Sequence, residues 1–404
     1  MMPSEQIITK AYRSSIRHAL GAKQIITHED GLLVIDASGK IAACGEYSKL
    51  FSRLPKNISI EDFRRHWILP GFVDSHVHLP QLDCRNKNGL TLLDWLTTYI
   101  FPAEAKFGNT KLAEETSRRF FDELLMHGIT TAAVHVTIHA EATDIAFQIA
   151  QEKGLRVVMG QVLMDQNAPD NLLQSHRRLL RETEQLISKW HGKEGRLFYA
   201  VTPRFAVTCS RPLLEGAGKL AKESGAYFQT HLAETEKENN WAKECHRFKD
   251  YVELYEQCHC LGNKSLFAHC IHLNDAEWAR LADSRPSVAH CPTSNVFLKS
   301  GTMSISKIEK YQIRYGLGTD VGAGPTFSMF EVMDCACNVH PKDKMNSDKA
   351  FYLATLGGAE ALSLEKQVGN FVEGKWADFS IVERETVKKV YISGSCVWGL
   401  SNAS

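Results

Sequence analysis

Strand-like runs alternate with amphipathic helical stretches over most of this 404-residue chain, and no other feature constrains the fold as strongly. Eight such runs follow Pro70-Gly71, at residues 72–79, 129–136, 156–164, 198–205, 226–234, 265–273, 286–292 and 314–322. Helical stretches lie between them, for example residues 110–128, which end at Gly128, and residues 171–190. The alternation predicts a parallel α/β sheet, and eight strands are the number that closes a TIM-type (β/α)8 barrel.

The two ends of the chain have a different pattern. Residues 6–47 contain short β-like pieces separated by Gly, Asp and Ser turns, and β-like pieces return after a last helical stretch at 352–364. We therefore predict three segments, with residues 1–69 and 365–404 forming a small β-sandwich domain and residues 70–364 forming the barrel.

Composition excludes several classes of partner. The 47 basic residues cancel the 47 acidic residues, which favours neither a nucleic acid nor an anionic membrane. The N-terminal MMPSEQIITKAYRSS lacks the apolar core of a signal peptide, and no run approaches the roughly 18 apolar residues of a membrane-spanning helix. Eleven scattered cysteines indicate reduced thiols, so we expect a cytoplasmic protein. Cys258-His259-Cys260 has no second ligand pair nearby, and we interpret it as a helix end with buried thiols.

Polar side chains occupy the carboxyl ends of the predicted strands, where barrels of this kind carry their functional residues. They are His76 and His78 on strand one, Arg204 on strand four, His231 with Glu234 after strand five, His269 on strand six, His290 on strand seven and Asp320 on strand eight. In the HVH sequence, side chains alternate, so the two histidines lie on one side of the strand. Each residue alone could be structural, but together they predict a site.

Histidines and a carboxylate at one end of a barrel favour a borderline divalent ion. Three imidazoles and a carboxylate suit zinc first, with iron as the alternative. An ion held in this way can lower the pKa of a bound water to about 7. Glu234 could then take the proton of that water and deliver it to a departing nitrogen.

Several motifs resemble those of a known superfamily. PGFVDSHVH, the histidine of QTHLAE, FAHC, AHCP and GLGTD resemble the barrel motifs of the amidohydrolase superfamily. Within it, residues 92–107, 201–205, 290–295, 316–324 and 353–362 resemble the guanine deaminase family. The resemblance covers nearly the whole barrel and the returning β segment.

The resemblance implies hydrolytic deamination of guanine to xanthine and ammonia by a metal-activated hydroxide, in a homodimer with one zinc ion per chain, iron being possible. Its implied site residues are the metal ligands His76, His78, His231 and Asp320, the proton shuttle Glu234, His269 facing the water and substrate, and the purine-contacting Gln81, Arg204 and Phe205. In this reading Asp320 is catalytic as well as a ligand. Phe205 could pack on the base or belong to the core.

Four other functions are compatible with part of the sequence. A related deaminase could act on an adenosine-like, pterin or triazine ring, because the metal site does not select the heterocycle. The deaminase fold with an H-x-E motif and P-C-x-x-C is excluded, since His139-Ala140-Glu141 has no Pro-Cys partner. A binuclear amidase would need a lysine that bridges two metal ions at the end of strand four, and this chain has VTPRF at that place. A catalytically inactive scaffold would be expected to lose ligands, and here all of them are present.

Overall fold

The computed structural model describes residues 7–87, 90–341 and 344–400, and these form two sheets with helices around the larger one. The strands are β1 (Ile8–Gly21), β2 (Gln24–Asp36), β3 (Ile41–Glu46), β4 (Ile60–Pro70), β5 (Phe72–His78), β6 (Ile129–His135), β7 (Arg156–Gly160), β8 (Val162–Leu163), β9 (Leu197–Pro203), β10 (Tyr227–Leu232), β11 (Ser265–His269), β12 (Ser287–His290), β13 (Arg314–Leu317), β14 (Phe379–Glu383), β15 (Thr386–Ile392) and β16 (Ser395–Gly399).

The helices mostly follow the barrel strands and cover the outside of the barrel. They are α1 (Tyr47–Leu50), α2 (Leu92–Trp95), α3 (Phe101–Ala105), α4 (Thr110–Met126), α5 (Ala140–Glu152), α6 (His176–Trp190), α7 (Arg211–Ser224), α8 (Glu236–His246), α9 (Tyr251–Gln257), α10 (Asp275–Ser284), α11 (Pro292–Phe297), α12 (Ile305–Lys310), α13 (Met329–Val339), α14 (Ser347–Leu353) and α15 (Leu356–Ala361). In the described part of the chain, no helix combines the length and the apolar character needed to cross a membrane.

The larger sheet is a nearly closed barrel. Its parallel strands follow the order β13-β12-β11-β10-β9-β7-β6-β5, and the two-residue β8 pairs with β9 as an extension. The seam between β5 and β13 is bridged by backbone hydrogen bonds from Asp320 N to His76 O and from His78 N to Val321 O, both 2.8 Å. The predicted barrel of eight parallel strands is confirmed.

Two helices show how far the predicted boundaries hold. α4 ends at Met126, and Gly128 follows with a φ of +76°, a conformation that favours glycine and stops the helix as predicted. α6 begins only at His176, five residues later than predicted. Residues Asp170–Leu172 form a separate 3-10 turn that buries Leu172. The apolar residues therefore keep a helix-like spacing there, although the helix itself begins only at His176.

The smaller sheet joins the two ends of the chain, as predicted. Its strands run in the order β16-β15-β14-β4-β1-β2-β3 as one continuous mixed sheet, with β14 antiparallel to β4 and β1 parallel to β4. Its core includes Tyr12, Phe379 and Tyr391, whose ring centroids lie 4.4–5.2 Å apart. β4 was not predicted, because its charged sequence leaves most of its first eight side chains exposed or half-buried.

Other predictions concern the segments and the cysteines. The boundaries at 69/70 and 364/365 stay predictions, and residues 1–6 and 401–404 of the outer segments lie outside the described residues. Cys258 follows directly after α9, and the side chains of Cys258 and Cys260 are both buried, in agreement with the predicted helix end.

Candidate active site

Three imidazoles and one carboxylate meet at the carboxyl end of the barrel. His78 Nε2 lies 3.1 Å from His76 Nε2 and 3.2 Å from His231 Nε2. Asp320 Oδ1 lies 3.3 Å from Nε2 of both His76 and His78. All four side chains are buried or nearly so, and the structure thus brings together the four residues that the sequence predicted as metal ligands.

Asp74, on the same strand as the HVH pair, anchors the seam that carries the cluster. Its buried carboxylate accepts hydrogen bonds from the backbone N–H of His76 at 3.1 Å and of Thr319 at 3.0 Å. The Thr319 hydroxyl donates a third bond at 2.6 Å. Asp74 therefore fixes the backbone that carries His76 relative to the backbone that carries Asp320.

His231 has a defined tautomer. Its Nδ1 lies 2.7 Å from the carbonyl oxygen of Arg204. Because a carbonyl oxygen only accepts, Nδ1 carries the hydrogen, and the lone pair of Nε2 faces the other imidazoles. The same contact links the metal cluster to the backbone of Arg204.

The electrostatics of the cluster call for a cation. Burial lowers the pKa of His78 to about 4 and that of His231 well below its ordinary value, so both rings are neutral at neutral pH. Burial favours the neutral acid of Asp320, but His76 and His78 outweigh it and hold its pKa well below the ordinary value. The lone pair of His231 Nε2 and the carboxylate of Asp320 both lie beside His78 Nε2, and a cation bound there would stabilise both. Three nitrogens and an oxygen fit a borderline divalent metal ion.

Glu234 lies beside this cluster. Its Oε1 accepts a hydrogen bond from Ser300 Oγ at 2.9 Å, and its backbone N–H donates to Glu238 in the capping box that opens α8. Burial raises the pKa of Glu234 well above its usual value, with further contributions from the negative charges of Asp320 and Glu238. A carboxyl group in this environment can hold a proton at neutral pH.

His269 faces two carboxylates. Its Nε2 lies 3.4 Å from Glu234 Oε2 and 3.8 Å from Asp320 Oδ2, and burial lowers its pKa to about 3. The amide nitrogen of Asn295 lies 3.0 Å from Nδ1, which places the ring hydrogen on Nε2. His269 and Asp320 both adopt a positive φ, of 73° and 50°, a conformation that is uncommon for residues other than glycine.

Arg204, Gln81 and Glu104 form the opposite end of the site. Arg204 Nη1 lies 2.6 and 2.8 Å from the two carboxylate oxygens of Glu104, which is fully buried. Gln81 Nε2 donates to the same carboxylate at 3.3 Å, and Gln81 Oε1 accepts from the backbone N–H of Gly322 at 3.3 Å. Within the described ranges the guanidinium donates from Nη1 alone, so Nε and Nη2 stay available for a ligand.

The two ends enclose a small cavity. Its walls include Leu92, Trp95, Phe205 and Leu298, together with the polar residues described above. The cavity has a volume of about 30 Å³, which is room for a water molecule. Leu92 and Leu298 also line an outer cleft of about 710 Å³, so they stand between the cleft and the site.

Several residues near the cluster were not predicted, among them Asp74, Glu104 and His135. Glu104 lies on α3, in a connecting segment whose direction the sequence does not define. His135 ends β6, and its ring centroid lies 4.7–4.9 Å from those of His76, His78 and His231. Neither of its nitrogens has a hydrogen-bond partner within the described ranges. His135 lies at the carboxyl end of the second barrel strand, so its position in the sequence is the signal that could have identified it.

One strand-end histidine lies outside the cluster. His290 Nε2 is 2.9 Å from Nε2 of His340, which follows α13, and both rings are buried. The structure therefore pairs His290 with a second histidine rather than with the metal cluster.

Comparison with known proteins agrees with this geometry. Residues 67–397 match the amidohydrolase family. Guanine deaminase of Escherichia coli (strain K12) is 40% identical over 359 residues, which cover 88% of this chain and 81% of that protein. The structure of an E. coli guanine deaminase superposes with a TM-score of 0.93 at 35% identity and covers 97% of this chain and 100% of its own.

A further solved structure has its ligand in place. Guanine deaminase from C. acetobutylicum, with guanine bound in the active site, superposes with a TM-score of 0.90 at 30% identity, covering 96% of this chain and 100% of its own. These matches extend over the barrel and the small sheet alike. The chain therefore belongs to the amidohydrolase family, and the relatives named above, at 30–40% identity, are guanine deaminases.

Proposed function

We propose that this chain catalyses the hydrolytic deamination of guanine to xanthine and ammonia. The observation that carries the proposal is a guanidinium, held by Glu104 at one nitrogen, at the edge of a cavity whose other end is the His76, His78, His231 and Asp320 cluster. The names of the relatives support the same substrate.

Arg204 and Gln81 would read the edge of the base. Guanine presents two acceptors, O6 and N7, on one edge, and a guanidinium fork matches such a pair. Adenine has an amino donor in place of O6, which would leave two donors facing each other in a buried site. Sites built around such hydrogen bonds discriminate strongly. Phe205 lines the cavity at the same end and would pack against the base.

His76, His78, His231 and Asp320 would hold one metal ion, with zinc favoured over iron by the donor set. When bound, such an ion acts as a Lewis acid that makes a water molecule nucleophilic at neutral pH.

Glu234 would move the protons of the reaction. Water adds its oxygen to C2 of guanine, and the C2–N bond breaks to release ammonia. Glu234 would accept a proton from the water at its carboxylate and pass it to the leaving nitrogen, and its raised pKa makes it able to hold the proton between the two steps. His269 would donate its Nε2–H to the oxygen that adds to C2.

The experiment that tests the proposal is a measurement of ammonia release from guanine, adenine, cytosine and adenosine by the purified protein. We expect release from guanine far faster than from the other three. Equal rates with guanine and adenine would contradict the assignment, and so would release from adenosine alone.

We also infer a homodimeric, cytoplasmic enzyme. The dimer follows from the family resemblance and is checked by light scattering in solution. The compartment is supported by the cysteines, since all eleven are free thiols, as expected in a reducing environment.

A further inference from the structure

We propose that His18, His28 and Cys44 form a second metal site, for zinc, in the small sheet. The three residues lie on the adjacent strands β1, β2 and β3, and one ligand atom from each lies within 4.8 Å of the other two. None of them lines the cavity of the barrel.

Strand register brings the two histidines to one face. Ile16 pairs with His28 and His18 pairs with Ile26 in the antiparallel ladder of β1 and β2. His18 and His28 are therefore diagonal neighbours on the same side of the sheet. β3 pairs with the other edge of β2, and Cys44 reaches the histidines from there.

Glu46 prepares His28 to bind a metal. Glu46 Oε1 lies 2.8 Å from His28 Nδ1, two residues after Cys44 on β3. A carboxylate at Nδ1 holds the hydrogen on that nitrogen and leaves Nε2 as the ligand atom. This pairing of a carboxylate with a ligating histidine is the usual support of zinc-bound imidazoles.

His18 is buried and uncharged. Burial lowers its pKa to about 4, with smaller contributions from His28 and Lys375, so the ring offers a lone pair at neutral pH. Its Nδ1 lies 3.5 Å from the backbone nitrogen of Phe371, which is at the outer limit of a hydrogen bond. That contact is weak enough to leave the ring free to take either tautomer.

Imidazole nitrogen and thiolate sulfur are both ligand types that zinc binds, and water would take the remaining position of a tetrahedron. Cys44 is a free thiol, and burial raises its pKa to about 12, so it is protonated when no metal is bound. On binding, the Cys44 S–H bond breaks, a zinc–sulfur bond forms and one proton passes to solvent. The ion would tie β1, β2 and β3 together and would be additional to the ion of the barrel.

Cobalt(II) separates the two sites spectroscopically. Cobalt bound to a thiolate gives a charge-transfer band in the near ultraviolet, whereas the barrel cluster offers only nitrogen and oxygen ligands. Titrating the purified, metal-loaded protein with cobalt should give the band with one additional ion per chain. Cys44→Ser and His28→Ala should both lose the band and that ion, while guanine deamination is unchanged.

Cys396→Ser is the matched control, because Cys396 is an exposed cysteine on β16 of the same sheet. It should keep the full band. A band that survives in Cys44→Ser, or no band in the wild type, would overturn the proposal. A second measurement needs no variant: zinc should protect Cys44 of the wild type from alkylation by iodoacetamide, as read by mass spectrometry of its peptide. Alkylation at an unchanged rate would contradict the site.

Discussion

The two ends of the active site are built in different ways. At the metal end, all four residues of the cluster lie at the ends of barrel strands or directly after them, and they contact one another across the barrel. At the base-recognition end, Arg204 and Phe205 follow β9 directly. Gln81 lies in the turn after β5, and Glu104 lies on α3. The barrel strands therefore position the whole cluster, whereas the base-recognition end also depends on Glu104 from a connecting segment.

The largest effect is expected from the loss of one histidine of the cluster. His231→Ala removes one of three imidazoles and should abolish both the binding of the barrel ion and ammonia release from guanine, measured by elemental analysis as the loss of one ion per chain and by turnover. His290→Ala is the control, since His290 ends a neighbouring strand but pairs with His340. Metal bound at the wild-type level with full turnover in His231→Ala would mean that another histidine is the ligand.

Glu234→Gln should separate metal binding from proton transfer. The amide keeps the shape of the side chain but cannot carry the proton, so kcat should fall by about 10²- to 10⁴-fold, the usual contribution of general acid–base catalysis, with the metal content unchanged. Glu236→Gln, an exposed glutamate two residues on, should change neither quantity. A loss below about tenfold would reduce Glu234 to a structural partner of Ser300.

Arg204→Met tests the base-recognition end. Methionine is similar in length but cannot donate, and a truncated charge-assisted pair costs about 2 to 4 kcal/mol. The kcat/KM for guanine should therefore fall by about 30- to 1,000-fold, with metal retained. The test is the kcat/KM for guanine and for adenine, measured in the wild type and in Arg204→Met. If the methionine variant keeps full guanine activity, Arg204 does not read the base.

The smallest expected effect concerns Glu104→Gln. The amide keeps one acceptor oxygen for Arg204 but removes the charge, so kcat/KM for guanine should fall by about tenfold, mainly through KM. The ratio of kcat/KM for guanine to kcat/KM for 2-aminopurine, which lacks O6, should be smaller in the variant than in the wild type. A loss in kcat at constant KM would place Glu104 in the chemistry instead of in recognition.

This contrast also explains what the sequence could predict. Strand alternation puts His76 and His78 on one side of β5, and parallel strands bring His231 and Asp320 to the same end of the barrel, so spacing placed all four among the candidates. The family resemblance then selected them as the ligands. Glu104 could not be found in this way. It follows a π-helical turn at Leu96–Ile100 in a connecting segment, where no period defines the direction of a side chain. The repeating pattern places all the strand-end residues, including the overlooked His135, but it does not place the carboxylate that orients Arg204.

The pairing of β14 with β4 has a consequence for biosynthesis. A ribosome makes β1 to β4 first, and β14 emerges only after the whole barrel, so the edge of β4 stays unpaired during most of translation. An unpaired edge can add a strand from another nascent chain. The stretch of β4 that pairs with β14 is Trp67–Pro70, and the charged residues Glu61, Asp62, Arg64 and Arg65 precede it on the same strand, where they oppose the addition of a foreign strand. We therefore expect that the exposed charges of β4 protect the nascent chain from aggregation until its last strands arrive.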